Sequence, residues 1–544
     1  MIPNRSRALE VAALFAAAVT LALATALPIY VDETNWQMLR GRLLLDGGVT
    51  IHFNYPSCGL PFASAPPWYF LPFRLLNAAI YVGVETPSRL RMTGIATAFA
   101  LYGLLLYLLA RLPEPAHLRR RAALVAAFAT MGVLPLLLVL DRPEPLLVAG
   151  GAILLLLPLG AARHGASALR LPVVLACAVG MLSVHPKALF FLPLMVAAAW
   201  LTAPGRRVAI ATIPLLVVAA IGSYGDWSAR MACPGDSHVR TILEQHSLSP
   251  ALLANPIGLL GEVWRNQTGQ HHPLGYATAI LFRDRYMSDW LPPGTRPAIL
   301  GPLANVLVLA ALAAGAMALV ISLAILVLRA WRQWPWRRWA IEPTAVLVLS
   351  LIASLAALNV FQVIKNDYEA SLVLPLAGLA TIAALSSIAA SLPTKALVRA
   401  GNAILIVSLV SQAALWASFL PQAFGPWSQG GYLPAQRHSV ASLGNARVLA
   451  DAEQAARQCA IRTDATARHL VLDPLTYPVF AHTREPFLIS YLSGGWGQGI
   501  ADLPAFLAER RSAGVVAACH ALPPTLRARA RAVGDICCVD PLAP

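Results

Sequence analysis

The run Ala8–Ile29, ALEVAALFAAAVTLALATALPI, and the stretch after it, Tyr30-Val31-Asp32-Glu33-Thr34-Asn35-Trp36, decide how this chain is read. The run is almost wholly apolar and long enough to span a bilayer, which takes about 20 residues. Two adjacent carboxylates, Asp32 and Glu33, then appear where the chain leaves the hydrocarbon. No cleavage pattern of a signal peptide follows the run, so it is read as a retained span.

Composition extends that reading to the whole chain. Of 544 residues, 58% are hydrophobic and 12% charged, with a mean hydropathy of +0.63. Soluble domains carry about 25% charged residues, so the expected class is a polytopic α-helical membrane protein. The net charge of +15 does not point to nucleic acid. The basic residues fall in short clusters between apolar segments, as the positive-inside rule requires. An arginine- and alanine-rich composition with three lysines, Lys187, Lys365 and Lys395, is by association that of a GC-rich bacterium, so the expected location is a bacterial inner membrane.

Apolar segments are expected at about 8–29, 92–110, 122–140, 146–161, 171–184, 188–202, 208–223, 298–328, 342–361, 370–390 and 401–420, about eleven transmembrane helices with the N-terminus cytoplasmic. This count places Arg119-Arg120-Arg121, Arg206-Arg207 and the tryptophan-belted Arg329–Arg338 turn inside. It places the mixed acidic, histidine and aromatic clusters outside, in loops 30–90 and 224–297 and at span ends. Within the first loop, Trp36, Leu39, Leu43 and Leu44 share a helical face, and Pro66-Pro67-Trp68-Tyr69 opens an aromatic run suited to the membrane interface, with Pro72 as a kink.

The spans, 1–420, give way to a tail, 421–544. Strand-like runs at His469–Asp473 and Gly514–Cys519 alternate with helical patterns at Leu503–Arg511 and Leu526–Val533, which predicts a small α/β domain on the periplasmic side. Cys459, Cys519, Cys537 and Cys538 lie in it; two disulfides suit an oxidising compartment, with three connectivities open. No pair has CxxC spacing, which weighs against a zinc site. Cys58 and Cys233 lie in the two outer loops and could bridge them; Cys177 lies inside a span and is read as packing.

Ionisable residues recur at the outer span ends: Asp32 and Glu33; Arg89 and Arg91; Asp141, Arg142 and Glu144; His185 and Lys187; Lys365, Asp367 and Glu369. Such groups cost a few kcal/mol at membrane depth and mark a cavity, a pathway or a partner. Their accumulation on one face predicts a cavity at the outer leaflet.

On these residues the sequence resembles the GT-C superfamily of integral membrane glycosyltransferases, in the branch of protein O-mannosyltransferases and the aminoarabinose transferase of lipid A. The matching elements are Asp32-Glu33 after the first span, Pro66-Pro67-Trp68-Tyr69 at the interface, and Arg89 and Arg91 before the second span. Further along come Arg142-Pro143-Glu144 at the fourth, the turn Val184-His185-Pro186-Lys187, and Lys365, Tyr368 and Pro375 late in the chain. The turn departs from the family's Thr-Lys-Pro-like pattern. The resemblance covers about 1–420 and none of its motifs falls in the tail.

The resemblance implies transfer of a sugar from a polyprenyl-phosphate carrier to an acceptor hydroxyl on the periplasmic side, usually with inversion. The acceptor class (protein, lipid A or polysaccharide) stays open, and membrane lipids are the surrounding partner. Asp32 is the expected general base, with Glu33 in reserve or orienting Asp32. Arg91, Arg142, Lys187 and Lys365 are the expected cations for the phosphate. Glu144, His185, His271, His272 and Tyr368 are the expected acceptor- or sugar-side residues. His271-His272, with carboxylates from other loops, could bind a divalent metal, and the metal is left unassigned. The alternative is a lipid or polysaccharide transporter or flippase. Transporters commonly carry internal repeats, and no duplication is evident here.

Overall fold

In the computed structural model the described residues are 2–24, 33, 50–52, 62–64, 67–81, 84, 87–112, 117–164, 169–231, 255–268, 275–282, 300–333, 342–362, 367–388, 394–424, 442–473, 475–484, 486–493 and 500–541. Asp32, Lys365, His271, His272, Cys58, Cys233 and the Trp36–Leu44 helical face lie outside them.

Each of the eleven apolar segments contains helix among its described residues. In chain order the described helices are α1 (Ile2–Leu23), the surface helix α2 (Leu71–Ala79), α3 (Pro87–Ala110), α4 (Leu118–Ala129), α5 (Leu134–Leu138), α6 (Pro143–His164), α7 (Arg170–Val184), α8 (Leu192–Thr202), α9 (Arg206–Met231), α10 (Pro256–Thr268), α11 (Gly275–Ala279), α12 (Leu300–Gln333), α13 (Pro343–Phe361), α14 (Asp367–Ile388) and α15 (Thr394–Phe424). Eight of them, α1, α3, α6, α9, α12, α13, α14 and α15, contain stretches long and apolar enough to cross a membrane.

The other three expected spans are short or broken. The 122–140 segment is α4 and α5 with a break between them. There Gly132 has φ +57, and a Cβ on it would sit 1.9 Å from the Ile280 carbonyl oxygen. Its N–H donates to Ser411 Oγ at 2.7 Å, and the Val133 N–H donates to that same Ile280 carbonyl at 3.0 Å. The chain there gives up helical bonds for bonds to its neighbours. At the other two, α7 ends at Val184 and a 3₁₀ turn, Pro186–Phe191, leads into α8.

Pro72 does not kink the interfacial run. A 3₁₀ turn, Trp68–Phe70, precedes it, and Pro72 sits in the opening turn of α2, where a missing N–H costs nothing. Trp68, Leu76 and Ile80 are exposed. On α10 the exposed Ile257, Leu260 and Trp264 share one face, the pattern of a helix lying in a membrane interface. Asn266 Nδ2 ties α10 to the end of α13, donating to the carbonyls of Val360 (2.7 Å) and Gln362 (3.0 Å).

α6 and α14 form the middle of the bundle and are the most buried of the eight; both belong to one continuous core. A hydroxyl–amide network binds α1, α4 and α15 at mid-depth. Thr20 Oγ1 donates to Gln412 Oε1 at 2.8 Å, and Gln412 Nε2 donates to Thr130 Oγ1 (3.1 Å) and Ser408 Oγ (3.0 Å). Such bonds contribute about 0.6 kcal/mol each in a bilayer. Nearer the N-termini of both helices, Ser6 of α1 meets Asn402 of α15 at 3.4 Å. The two contacts fix α1 and α15 as parallel, so both helices finish at one end of the bundle.

The C-terminal region is a five-stranded sheet with helix α16 (Ser442–Gln458) packed against it. The strand order is β4-β3-β5-β7-β6, numbered after a short hairpin of β1 (Thr50–His52) and β2 (Phe62–Ser64). β3 (Val471–Leu472) lies parallel to β4 (Phe487–Leu488) and β5 (Val515–Ala518). β7 (Ile536–Val539) runs antiparallel to β5 and to β6 (Arg531–Val533). The expected helix at Leu526–Val533 is corrected. Only Pro524–Arg527 is helical there, and 531–533 is β6, because pairing with β7 across the Gly534-Asp535 loop overrides the local helical pattern.

The sheet also selects the disulfides. Neighbouring residues on a strand point to opposite faces, so Cys538 enters the core under α16 and bonds Cys459, while Cys537 enters the other core and bonds Cys519.

Candidate active site

The site is built at the end of the bundle to which α1 rises. Glu33, ten residues beyond α1, is fully buried. Arg91, in the second turn of α3, meets it as a fork: Nη1 donates to Oε1 at 2.8 Å and Nη2 to Oε2 at 2.7 Å. Arg91 Nη1 also donates to the Val139 carbonyl at 2.9 Å. That approach depends on Gly94, where a Cβ would lie 2.0 Å from the Val139 oxygen. The Asp141 N–H donates to Glu33 Oε1 at 2.9 Å. Both Glu33 oxygens are thus engaged in holding Arg91 and the Asp141 amide.

The turn between α5 and α6 joins this pair to a second cluster. Asp141 accepts from the Tyr81 hydroxyl, which ties the segment after α2 to the turn. Its neighbour Arg142 points the other way. Nε of Arg142 donates to Glu144 Oε2 at 3.1 Å, and its guanidinium carbon stands 3.8 Å from the Tyr368 ring centroid, a cation–π geometry. Lys187 Nζ lies 2.7 Å from Glu144 Oε1 and 2.7 Å from Glu369 Oε1. His185 shapes the turn that carries this lysine, its Nδ1 accepting from the Lys187 N–H at 3.0 Å. Glu144 and Glu369 open the first turns of α6 and α14, where the helix dipole favours negative charge.

The surface helix is fastened to the same end. Arg74 Nη2 lies 2.6 Å from Asp226 Oδ2 of α9, and Arg74 Nε donates to the Ser183 carbonyl at 3.3 Å.

Residues from separate segments therefore meet here: Glu33 with Arg91, and Arg142 and Glu144 with Lys187 and Tyr368. Glu144, His185 and Tyr368 all brace the cations. Three participants carry no role in the sequence reading. Glu369 and Asp141 appear there only as span-end charges, and Tyr81 gives no local signal, because its partner is 60 residues away. Among the described residues Arg142 and Lys187 face Glu144 and Glu369, and Arg91 faces Glu33, with the buried Asp141 beside that pair. Among the described residues no group of three or more His, Cys, Asp or Glu side chains is placed to hold a metal ion.

No family model and no curated protein matches the chain. Solved structures do. The chain is similar to ArnT and to AglB. ArnT from Cupriavidus metallidurans bound to undecaprenyl phosphate matches over 100% of both chains, with 11% identity and a TM-score of 0.38. Its apo form gives a TM-score of 0.41. The archaeal oligosaccharyltransferase AglB from Archaeoglobus fulgidus, in complex with an inhibitory peptide and a dolichol-phosphate, matches over 93% of this chain and 69% of its own, with 11% identity and a TM-score of 0.38. Similarity at this level carries no functional weight by itself; the ion clusters do.

Proposed function

We propose that this protein transfers a sugar from a polyprenyl-phosphate carrier to an acceptor hydroxyl at the periplasmic face of a bacterial inner membrane. The observation that carries the reading is the convergence of Glu33, Arg91, Arg142, Glu144, Lys187 and Glu369 around the α5–α6 turn. Five separate segments bring buried charge to one end of an apolar bundle, an arrangement expensive to maintain unless a polar substrate is handled there.

In this mechanism Asp32 takes the proton of the acceptor hydroxyl as its oxygen bonds the anomeric carbon. The bond from that carbon to the phosphate oxygen breaks, and the polyprenyl phosphate leaves with the electron pair, inverting the centre. Glu33, held by Arg91 and the Asp141 amide, fixes the segment that carries Asp32. Arg142, Lys187 and Lys365 stabilise the phosphate as its charge grows, braced by Glu144, His185 and Tyr368. His271 and His272 are assigned to the acceptor side.

Sidedness has its own support. α1 and α15 run parallel, so Glu33 and the C-terminal sheet follow helix ends on one face. The two disulfides of that sheet suit an oxidising compartment. The sheet, within 421–544, is assigned as a separate periplasmic domain after the membrane domain 1–420.

The test is turnover of a panel of polyprenyl-phosphate sugars by wild type and Asp32→Asn in lipid nanodiscs, following carrier release by mass spectrometry. Wild-type turnover of one donor, falling at least about 100-fold in a folded Asp32→Asn, is expected. Equal turnover removes Asp32 as the base, and absence of carrier binding overturns the reading.

A further inference from the structure

The carboxylates around Lys187 bear on how an anion could enter. Among the described residues Lys187 meets both Glu144 and Glu369, Arg142 meets Glu144, and all four side chains are at most 12% exposed. A sugar-phosphate diester brings one negative charge, and the released polyprenyl monophosphate brings about 1.5 to 2. Adding that charge beside two ionised carboxylates in a poorly solvated site is repulsive, so binding calls for an exchange of partners.

The two carboxylates stand on different helices. Glu144 is gripped from both sides, by Arg142 and Lys187, on the central helix α6. Glu369 sits in the first turn of α14, ahead of Pro375. Proline cannot donate a backbone hydrogen bond to the residue four before it, Ser371, and is a usual pivot point in a helix. Pro375 lines a small apolar cavity with Leu101, Tyr102, Leu105, Val125 and Leu379, which gives the proline slack on one side. On α11, burial first, and then the Glu369 charge, push the Tyr276 phenol well above the ordinary tyrosine range, so it remains protonated.

We propose that the Glu369 carboxylate is an internal stand-in for the carrier's phosphate, holding the Lys187 ammonium in the empty site and yielding it when the lipid phosphate binds. The inference rests on the reading of Lys187 and Arg142 as phosphate-binding cations. Because charge on the phosphate rises as the sugar departs, the exchange is more complete with the product than with the donor. Glu369 then returns to Lys187 and helps expel the spent carrier.

The experiment is a titration of undecaprenyl phosphate against the full chain in nanodiscs, comparing wild type, Glu369→Gln and Lys187→Met, with thermal unfolding run alongside. Glu369→Gln is expected to bind roughly tenfold tighter or more, the equivalent of one competing charge-assisted hydrogen bond removed, and to release product more slowly. Lys187→Met is expected to lose most affinity. Unchanged or weaker binding by a folded Glu369→Gln overturns the stand-in role, and leaves the phosphate-site reading intact if Lys187→Met still weakens binding. If Glu369→Gln does not fold, Glu369→Asp, with its shorter reach toward Lys187, decides by the same criterion: tighter binding supports the exchange, unchanged or weaker binding overturns it. Absence of binding by wild type overturns both.

Discussion

The two ends of the bundle each hold a carboxylate between two cations, with different surroundings. At the end where α1 begins, Glu10 meets Arg119 at 2.6 Å and Arg120 at 3.4 Å, and the Arg119 side chain is 48% exposed. At the far end, Glu144 meets Arg142 at 3.1 Å and Lys187 at 2.7 Å, with both cations nearly buried. Water screens the Arg119 contact, so that contact can fasten α1 to α4 at little gain or cost, while Glu10 and Arg120 stay largely out of water. The second has given up its hydration, and each partner is needed to keep the others from being stranded. Similar chemistry thus keeps one cation half in water at one end and both cations nearly buried at the other. Burial makes the difference.

The largest effect is expected from Glu144→Gln, which leaves Arg142 and Lys187 facing a neutral amide. A stability loss of about 3–5 kcal/mol and loss of turnover are expected, read by thermal unfolding and carrier release. Pairing it with Arg142→Met sharpens the contrast. Lys187 keeps Glu369, so removing the guanidinium that has lost the Glu144 carboxylate should restore part of the stability while turnover stays lost.

Arg91→Lys comes next. It keeps a cation beside Glu33 but replaces a two-pronged contact with one point charge. A cost of about 1.5–3 kcal/mol is expected for the lost charge-assisted bond, with a fall in turnover as Asp32 loses its support. Wild-type turnover in folded Arg91→Lys would detach the Glu33–Arg91 pair from the chemistry.

The disulfides set an intermediate scale. Cys459→Ser opens a loop spanning 79 residues and Cys519→Ser one spanning 18, and each bridge is expected to contribute about 2–4 kcal/mol, with the longer loop contributing more. Protease susceptibility of the sheet is the readout; an equal or reversed order would count against a chain-entropy origin.

Arg119→Ala should do least, costing up to about 1 kcal/mol with turnover unchanged. A loss comparable to that of Glu144→Gln would break the comparison between the two ends.

Much of the architecture was legible because it is written locally. Eight of the eleven apolar segments hold helices long and apolar enough to cross a membrane, since hydrophobic composition over some twenty residues suffices for that. What failed locally failed for tertiary reasons. The 122–140 segment breaks at Gly132 because backbone groups there bond Ile280 and Ser411. Residues 531–533 form a strand because β7 lies alongside. Around the α5–α6 turn, residue types were legible as a pile-up of charge at span ends. Which cation meets which carboxylate was not, and Tyr81 could not have been found at all.

By itself, then, the sequence determined that this is a multi-helix membrane protein with its unlike charges gathered toward one end and a cysteine-bearing α/β tail. These follow from composition, period and the sign of connector charges, all properties of neighbouring residues. Only the tertiary structure decided that Glu33 belongs to Arg91, that Lys187 is shared between Glu144 and Glu369, and that Cys537 and Cys538 part to opposite faces of a sheet. Partners separated by 58 residues, as Arg91 and Glu33 are, are chosen by how helices pack, and packing is a property of the whole chain.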